Sequence, residues 1–500
     1  MVHLQTPTVL RACLGCLGGI ACASWLFAID ALPMWWTVVV VSVLVVGCVR
    51  QWSPVAWRSG AVAVIAFALG MLRFLGAVPP PADFASSTEI SGRITRVESI
   101  AKGRMRVMVR TAEARVPVVV FAPQVVLRYG DIVRIRCVLA QSHASRERLT
   151  SAGTCAVRSP DAVRVLAHGA GSPTLRLLDE VHAHLVATAG ASLSPRAYAV
   201  VASAVLGDRG ALPDELRDAF RKTGTIHALV ISGGHMTIIG MLLLIAFRVL
   251  PVTHRAARWS TLVALGSFVA MTGFTPSAVR GALMVAAFIA VELLGRVASR
   301  LRVLVLVATT MVVVHPHVLA FDLGFQLSFA AVAGIVLMTP LLERAIPRAS
   351  ARTREITSGV ATSLAATIAT APLLFGAFGT ISLIGVLANI PVLLLLPALL
   401  IAAFAFLLIG ALLPSLAPLA AWPVDVLARS VVWLVERAAA VPWASVDGVT
   451  LDWWFTLALY VALTFVVLRA ASRCGMPLLS PFRHLSTDAA LLTGGTLERR

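Results

Sequence analysis

The stretch Gly224–Ile245, GTIHALVISGGHMTIIGMLLLI, decides the fold. It is as apolar as a membrane helix, yet it contains a Ser-Gly-Gly break and two histidines, His227 and His235. In hydrocarbon, a broken backbone is tolerated only where it is buried in protein or lines a watery cavity. Transporters tend to place their substrate path at such breaks. Alternatively, the glycines allow close helix packing and the histidines bond to neighbouring helices. The stretch alone leaves both interpretations open.

The composition indicates a polytopic α-helical membrane protein. Of the 500 residues, 58% are hydrophobic and 13% are charged, and the mean hydropathy is +0.88. A soluble domain has about 25% charged residues. The net charge of +18 comes almost entirely from arginine. Arginines that flank helices on the cytoplasmic side explain such an excess, and a surface that handles a polyanion is the second explanation.

Apolar runs of the length that a bilayer requires predict about eleven to twelve transmembrane helices. The predicted spans are residues 12–29, 34–49, 61–78, 226–250, 259–274, 277–295, 301–314, 317–338, 357–378, 380–397, 398–413 and 451–469. Alternation of these spans places the arginine-rich loops inside, so the amino terminus is expected in the cytoplasm. Residues 414–450 then become an external surface helix. The chain is expected in the inner (plasma) membrane, and its oligomeric state cannot be read from the sequence.

A polar segment interrupts the apolar pattern and divides the chain into five regions. Residues 1–82 are amino-terminal helices, 83–168 an exported domain, 169–224 an amphipathic interfacial segment, 225–470 a helical bundle, and 471–500 a polar tail. The exported domain has short alternating apolar runs that predict about five strands in a small β-barrel of the OB type.

The first half of the predicted β-domain is basic. Its basic residues are Arg93, Arg96, Lys102, Arg104, Arg106, Arg110 and Arg115. A solvated face and a groove that faces nucleic acid both explain this charge. The aromatic residues that a base-stacking surface needs are scarce, being Phe84, Phe121 and Tyr129, which weakens the second explanation.

The cysteines predict one disulfide and no metal site. Cys137 and Cys155 are the two cysteines in the exported domain, where an oxidising compartment allows a bond between them. No cysteine spacing resembles a metal site, and no cofactor is expected.

Several polar residues interrupt the predicted membrane helices. Arg280 follows Pro276 by one turn, Asp322 and Gln326 lie one turn apart, and Asn389-Ile390-Pro391 breaks an apolar run. Intramembrane polar groups are commonly functional. The structural alternatives are that Arg280 snorkels towards a helix end and that Asp322 forms an ion pair. We predict that Arg280 and Asp322 form this pair, and that Glu292 pairs with Arg296 at the surface.

Four runs together resemble the ComEC family of competence DNA-uptake channels: HALVISGGHM from His227, PSAVRGALM from Pro276, HPHVLAFDLGFQLSF from His315 and ANIPVLLLLP from Ala388. Their order is similar to that of the family, and so is the exported β-domain. The resemblance extends over about residues 20–470. The positions that match the family's motifs are His227, Ser232, Gly233, His235, Pro276, Arg280, Asp322, Gly324, Phe325, Gln326, Ser328, Asn389 and Pro391.

The resemblance implies a channel that passes single-stranded DNA into the cytoplasm during natural transformation. It also implies a lipid bilayer, a periplasmic DNA-binding protein, a separate nuclease and a cytoplasmic DNA-translocating ATPase as partners. Many members append a metallo-β-lactamase-like domain with a His-x-His-x-Asp-His signature, which this sequence lacks. We therefore expect no enzymatic activity. A transporter of a smaller anionic or lipid-linked substrate remains an alternative, as does an intramembrane enzyme built on Ser232 with His227 or His235.

Overall fold

A computed structural model describes most of the chain. The described residues are 7–28, 54–77, 89–100, 104–112, 117–123, 125–137, 139–140, 153–157, 159–249, 252–293, 300–345, 351–378, 380–382, 384–447 and 453–474. The predicted span 34–49, most of the predicted tail, and Phe84, Lys102, Arg115 and Arg296 lie outside them.

The soluble segment folds as a β-domain. Its strands are β1 (Glu89–Ile100), β2 (Arg104–Arg110), β3 (Val118–Pro123), β4 (Ile132–Arg136), β5 (Leu139–Ala140), β6 (Thr154–Ala156) and β7 (Val163–Ala167). They form one sheet in the order β5-β6-β3-β2-β1-β4-β7, in which β1 pairs antiparallel with both β2 and β4 while β3 pairs in parallel with β6.

The β-domain is a curled half-barrel rather than a closed five-stranded barrel. Strand β1 has 12 residues, and its register shifts between Ile94 and Arg96. Such a bulge bends a strand and increases its twist. Residues of β2 alternate between buried and more exposed, so its apolar side chains cover one face of the sheet. The short strands β5 and β6 account for the difference between the five predicted strands and the seven observed.

In the structure a disulfide joins Cys137 to Cys155, whose Cα atoms are 6.0 Å apart. Cys155 belongs to β6 and is buried in the core of the β-domain, and Cys137 directly follows β4. The bond therefore ties the short outer strands to the main sheet.

The rest of the described chain is mainly helical. Its helices are α1 (Pro7–Ala28), α2 (Pro54–Leu75), α3 (Pro173–Ser192), α4 (Pro195–Val201), α5 (Asp214–Lys222), α6 (Gly233–Val249), α7 (His254–Met271), α8 (Pro276–Leu293), α9 (Arg300–Val314), α10 (Val318–Phe321), α11 (Leu323–Ala345), α12 (Ala351–Phe378), α13 (Gly385–Leu412), α14 (Ala417–Ala439) and α15 (Trp453–Arg473). A small hairpin pairs β8 (Thr380–Ser382) with β9 (Ser445–Asp447).

Six described helices are long and apolar enough to cross a membrane. They are α8 and α11 to α15, and several shorter apolar helices accompany them. The chain is therefore a membrane protein with a β-domain. The predicted number of eleven to twelve spans is not reached by this criterion, because α1, α2, α6 and α9 have apolar runs shorter than 18 residues in the described chain.

Two predictions about the carboxyl-terminal third are wrong. The predicted spans 380–397 and 398–413 are one helix, α13, which contains both Pro391 and Pro397. Membrane helices tolerate proline where neighbouring groups satisfy the freed backbone. The predicted surface helix is α14, which buries Val424, Ala428 and Val431 at helical spacing. Because this apolar stripe packs on α13, α14 belongs to the bundle core.

Three apolar clusters hold the helices together. The first joins α4, α5, α13 and α14, the second joins α1, α2, α9 and α11, and the third joins α6, α7 and α8. The guanidinium of Arg73 in α2 donates to the carbonyl oxygens of Val313 and Val314 at the end of α9, at 2.9 and 3.0 Å. Glu292 pairs with Arg258 of α7; its predicted partner Arg296 lies outside the described residues, so that pair stays a prediction.

Candidate functional site

The predicted helix break lies at residues 230–232. A 3-10 turn, Ile226–Leu229, precedes the break, and α6 starts at Gly233. Ser232 is the residue before the first helical turn, and its carbonyl oxygen accepts the first intrahelical bond from the Met236 amide at 3.2 Å. The glycines therefore fall at the start of the helix, where an extended chain changes to helical geometry.

The side chain of His235 stabilises this start. Its Nδ1 accepts from the Ser232 amide at 3.3 Å and lies 2.8 Å from Ser232 Oγ. A third helical residue that bonds back to the amide of the residue before the helix is the arrangement of a capping box. Because an amide can only donate, Nδ1 is the acceptor, and the proton of the neutral ring is on Nε2.

His235 is 2% exposed, and its Nε2 has no hydrogen-bond partner among the described residues. The ring therefore presents a buried N–H donor that the described protein leaves unsatisfied. Buried polar groups in native proteins normally have a partner, since an unsatisfied donor costs about 1–3 kcal/mol.

Helix α8 packs directly on the start of α6. A Cβ atom added to Gly281 would lie 2.6 Å from Cγ of Met236 and 3.0 Å from Cα of Gly233, so the two backbones are in close contact. Ser277 Oγ donates to the carbonyl oxygen of Ile231 at 2.6 Å and fixes the first turn of α8, which Pro276 opens, against the break.

This packing brings Arg280 to Gly233. The Nη2 atom of Arg280 is 3.8 Å from where a Cβ on Gly233 would be. Arg280 is 3% exposed, and its Nε and Nη1 have no hydrogen-bond partner in the described part of the chain. Its guanidinium carbon lies 5.7 Å from the ring centroid of Phe329, which offers a cation–π contact. An aromatic face compensates a buried charge only in part.

The predicted ion pair between Arg280 and Asp322 is absent from the described residues, since the ion pairs formed there do not include either side chain. Asp322 instead accepts from the Phe325 amide at 2.7 Å and so caps the start of α11. The physical reason is that Asp322 ends α10 and precedes α11, where a carboxylate satisfies free amides and the helix dipole.

Gln326 also has a structural role. Its Nε2 donates to the carbonyl oxygens of Leu319 and Ala320 at 3.0 and 2.8 Å and joins α11 to α10. Ser328 is half-buried on the same helix. The motif from Asp322 to Ser328 therefore contributes to the site chiefly through Phe329, which follows it directly and contacts Arg280.

The remaining predicted site residues are His227, Asn389 and Pro391. His227 is exposed, and its Nδ1 bonds to the Gly224 carbonyl oxygen at 3.1 Å. Asn389 is 7% exposed, and its Oδ1 has no partner among described residues. Pro391 lines an apolar cavity of about 200 Å³ between α13 and α14. The structure thus joins Ser232, Gly233, His235, Pro276 and Arg280, and it does not join them to His227, Asn389 or Pro391 by a hydrogen bond or ion pair in the described chain.

Three residues of the site were not identified from the sequence. Gly281 allows the close approach of α8 to α6, Ser277 bonds across the break, and Phe329 contacts the guanidinium. The adjacency of Gly281 to a membrane arginine was an available signal for close packing. Phe329 ends the run from His315 that resembles the family, but nothing in the sequence indicated that it contacts Arg280, 49 residues away.

The β-domain reaches the same region of the membrane helices. The guanidinium of Arg96 in β1 lies 2.8–3.0 Å from where a Cβ on Gly273 would be, and Gly273 has a φ of +78°. Gly273 belongs to the turn between α7 and α8, directly before the helix that carries Arg280. The half-buried Arg96 of β1 therefore lies against the turn that leads into α8.

A second connection between the β-domain and the helices runs through a π-helical turn, Ala202–Leu206. Its five residues are all buried, and the carbonyl oxygen of Leu206 bonds to His182 of α3 at 2.9 Å. Asp208 follows, and burial raises the pKa of its carboxyl group although its bond from the Gly210 amide opposes this. The 3-10 turn Arg209–Ala211 then contacts β1.

The described residues contain no group of three or more His, Cys, Asp or Glu side chains close enough to hold a metal ion. The site is instead built from hydrogen-bond donors, with one guanidinium, one imidazole N–H and the amides that start α6. Such a set suits an anion.

Residues 204–473 match the sequence model of the family described as competence protein. A relative from Bacillus subtilis (strain 168), ComE operon protein 3, is 30% identical over 161 residues, which are 32% of this chain and 21% of that protein. The match thus spans about a fifth of the relative's length. No solved structure matches the chain.

Proposed function

The chain belongs to the competence protein (ComEC) family, and from this premise we propose that it is the inner-membrane channel through which single-stranded DNA enters the cytoplasm during natural transformation. The family match covers 204–473, the part that contains α6, α8 and α11. The proposed cargo carries one negative charge per nucleotide, so its path must be wet and must offer positive potential.

One observation carries the proposal: Arg280 is buried among membrane helices, and no carboxylate of the described chain forms an ion pair with it. An uncompensated buried charge is costly. A passing phosphate would supply the missing negative charge. The neighbouring donors of the α6 start have the same sign of potential, so the region as a whole favours anions.

We further propose a topology of about eleven to twelve spans, in which shorter apolar helices cross with the six long ones. The amino terminus lies in the cytoplasm and the β-domain outside. The two predicted spans between residues 380 and 413 are replaced by α13 and α14, so the number of crossings is unchanged and the tail stays on the cytoplasmic side.

The β-domain then stands at the outer end of the path. Its contact through Arg96 at Gly273 leads to α8, and its strand pairing sets Arg93 opposite Arg110. Glu98 neutralises part of this charge through Arg96 and Arg106, at 2.7 and 3.8 Å. We propose that a periplasmic DNA-binding protein delivers the strand here, that a separate nuclease removes its complement, and that a cytoplasmic ATPase pulls it.

We propose no catalytic role for Ser232 and His235. Their contact resembles a nucleophile with its base, but the same atoms form a helix cap, which explains the geometry without chemistry. We propose that the chain conducts single-stranded DNA and does not cleave it.

The test is to delete the gene in a transformable host, add labelled DNA to the cells, and measure the label at the cell surface and in the cytoplasm. We expect DNA to bind at the cell surface but not to reach the cytoplasm, and the wild-type gene should restore entry. Normal transformation together with altered lipid or cell-wall precursors would favour a transporter of a small anionic substrate. Degradation of DNA by the purified chain would contradict a passive conduit.

Labelling of thiols tests the proposed side of the β-domain. Cys137 and Cys155 should resist a membrane-impermeant maleimide in intact cells until reductant is added, because only an oxidising compartment maintains their bond. Cys474 should remain unlabelled in intact cells and react after lysis. Free labelling of Cys137 and Cys155 without reductant would contradict both the disulfide and the placement.

A further inference from the structure

We propose that the start of α6 and the guanidinium of Arg280 together bind one phosphate oxyanion of a phosphodiester backbone. This inference rests on the proposed passage of a DNA strand and assigns the contact that the strand makes at the helix break.

The start of α6 supplies the first part of the site. The amides of Gly233, Gly234 and His235 precede the first intrahelical bond, which the Met236 amide makes at 3.2 Å. These amides are the free donors of a helix of 17 residues. Free amides and the helix dipole make such a start an anion site. Because Gly233 and Gly234 have no Cβ, a ligand can approach the backbone closely.

Arg280 supplies the second part and is an independent observation. It is 3% exposed, and its Nε and Nη1 have no partner among the described residues. Its Nη2 lies 3.8 Å from where a Cβ on Gly233 would be, so the charge lies beside the first residue of α6. A cation beside the positive end of a helix dipole is disfavoured unless an anion lies beside both.

His235 adds a further donor at the start of α6. Its Nδ1 is occupied as an acceptor from Ser232, so the unpartnered Nε2 is a donor. Every unsatisfied buried nitrogen of Arg280 and His235 is thus a donor and none is an acceptor. A cation or a neutral acceptor-rich ligand would leave these donors unsatisfied, whereas a phosphate oxyanion accepts several bonds. The planar guanidinium can bind two phosphate oxygens at once.

Binding of an oligonucleotide to the purified full chain tests the site. The probe is an oligothymidylate of about twenty nucleotides, titrated at several salt concentrations in lipid nanodiscs. Arg280→Gln should weaken binding by about tenfold to a hundredfold, since bonds to charged groups are the strong ones. The slope of log K against log salt should also fall by about 0.7, the value for one phosphate contact on a single strand.

Arg258→Gln is the matched control, because Arg258 lies in the same bundle but pairs with Glu292. It should retain wild-type affinity and slope. A methylphosphonate oligonucleotide without backbone charge should bind wild type and Arg280→Gln equally. Gly233→Ala keeps every charge but places a methyl group at the site, and we expect it to weaken the phosphodiester probe as well. If the Arg280→Gln protein does not accumulate in cells, oligonucleotide binding is measured with Arg280→Lys and Gly233→Ala instead.

A lipid headgroup has the same phosphodiester chemistry, and mass spectrometry of the intact protein separates the two sources. If wild type retains a phospholipid that Arg280→Gln lacks, and both bind the oligonucleotide equally, the assignment to a strand is overturned. Equal affinity and salt slope for wild type, Arg280→Gln and Gly233→Ala also overturn the site. If gene deletion still abolishes DNA entry in that case, the proposed channel function is retained and only the phosphate site is refuted. Normal entry after deletion would refute the channel instead.

Discussion

Two interrupted helices in this protein begin in opposite ways. The start of α11 has a carboxylate, Asp322, which accepts from the Phe325 amide, and Gln326 closes the preceding turn. The start of α6 has a neutral cap formed by Ser232 and His235, and an arginine faces it. The first start supplies its own negative charge, whereas the second concentrates donors and has no carboxylate among the described residues that pairs with its arginine.

The difference shows that a polar motif within a membrane segment can serve structure or function. Both motifs contain the residue types that membranes exclude unless they are needed. Only the partners of each side chain distinguish them. Asp322 and Gln326 are satisfied within their own segment, while Arg280 and His235 have donors that no described residue satisfies.

The largest expected effect is on DNA entry. Arg280→Ala and His235→Ala should each lower transformation by about tenfold or more. Arg280→Ala removes the proposed charged bonds to a DNA phosphate, and His235→Ala removes the free Nε2 donor at the start of α6. Levels of Arg280→Ala should stay normal, because Nε and Nη1 of Arg280 bond to no described residue. His235→Ala also removes the cap on Ser232, so it should cost about 0.5–2 kcal/mol of stability as well. Thr237→Ala is the control, as this exposed residue of α6 only bonds to the Gly233 carbonyl. Wild-type transformation by Arg280→Ala would remove the distinction between the two starts.

The next effect concerns the contact between α6 and α8. Gly281→Ala places a methyl group 2.6 Å from Met236 and 3.0 Å from Gly233, so the helices must separate. Such overpacking costs about 1–3 kcal/mol. Thermal unfolding in detergent measures it. Gly266→Ala is the matched control, since a Cβ there has no neighbour within 4 Å, and it should stabilise α7 slightly. If Gly281→Ala melts at the same temperature as wild type, α6 and α8 do not approach each other as closely as the structure shows.

A smaller effect is expected at the start of α11. Asp322→Ala removes the cap and should cost about 0.5–2 kcal/mol of stability. Asp322→Asn keeps a capping oxygen and should recover most of this loss, together with DNA entry. If Asp322→Asn abolishes entry while the protein remains as stable as wild type, the carboxylate belongs to the path and the contrast with α6 fails.

The smallest effect is the coupling between Arg280 and Asp322. Since the two form no ion pair in the structure, the stability changes of Arg280→Ala and Asp322→Ala should add within about 0.5 kcal/mol. A buried pair would instead show a coupling of several kcal/mol, because each single change would leave an uncompensated charge. A double-mutant cycle, measured by thermal unfolding, distinguishes additive from coupled stability changes. Strong coupling would show that Arg280 and Asp322 do form the ion pair predicted from the sequence.

Much of the architecture followed from the sequence. The break before Gly233, the β-domain and the apolar helices are encoded by local composition, since glycine, charge and strand alternation act over a few residues. The helix boundaries of α7 to α9 agree with the prediction within about five residues. The division at Pro397 failed because proline indicates a possible break but does not enforce one when neighbouring helices support the backbone.

The sequence by itself determined which residues are polar inside the membrane, because the cost of placing such groups in hydrocarbon is a property of each residue. It did not determine their partners. Arg280 and Asp322 were an obvious pair by charge, yet packing of Gly281 on Gly233 turned Arg280 towards α6 and left Asp322 to cap α11. Asp322 bonds to the Phe325 amide, three residues away. Side-chain contacts act over a few ångströms, whereas Gly233 and Phe329 are 47 and 49 residues from Arg280 in the chain. Only the tertiary structure brings them within that distance.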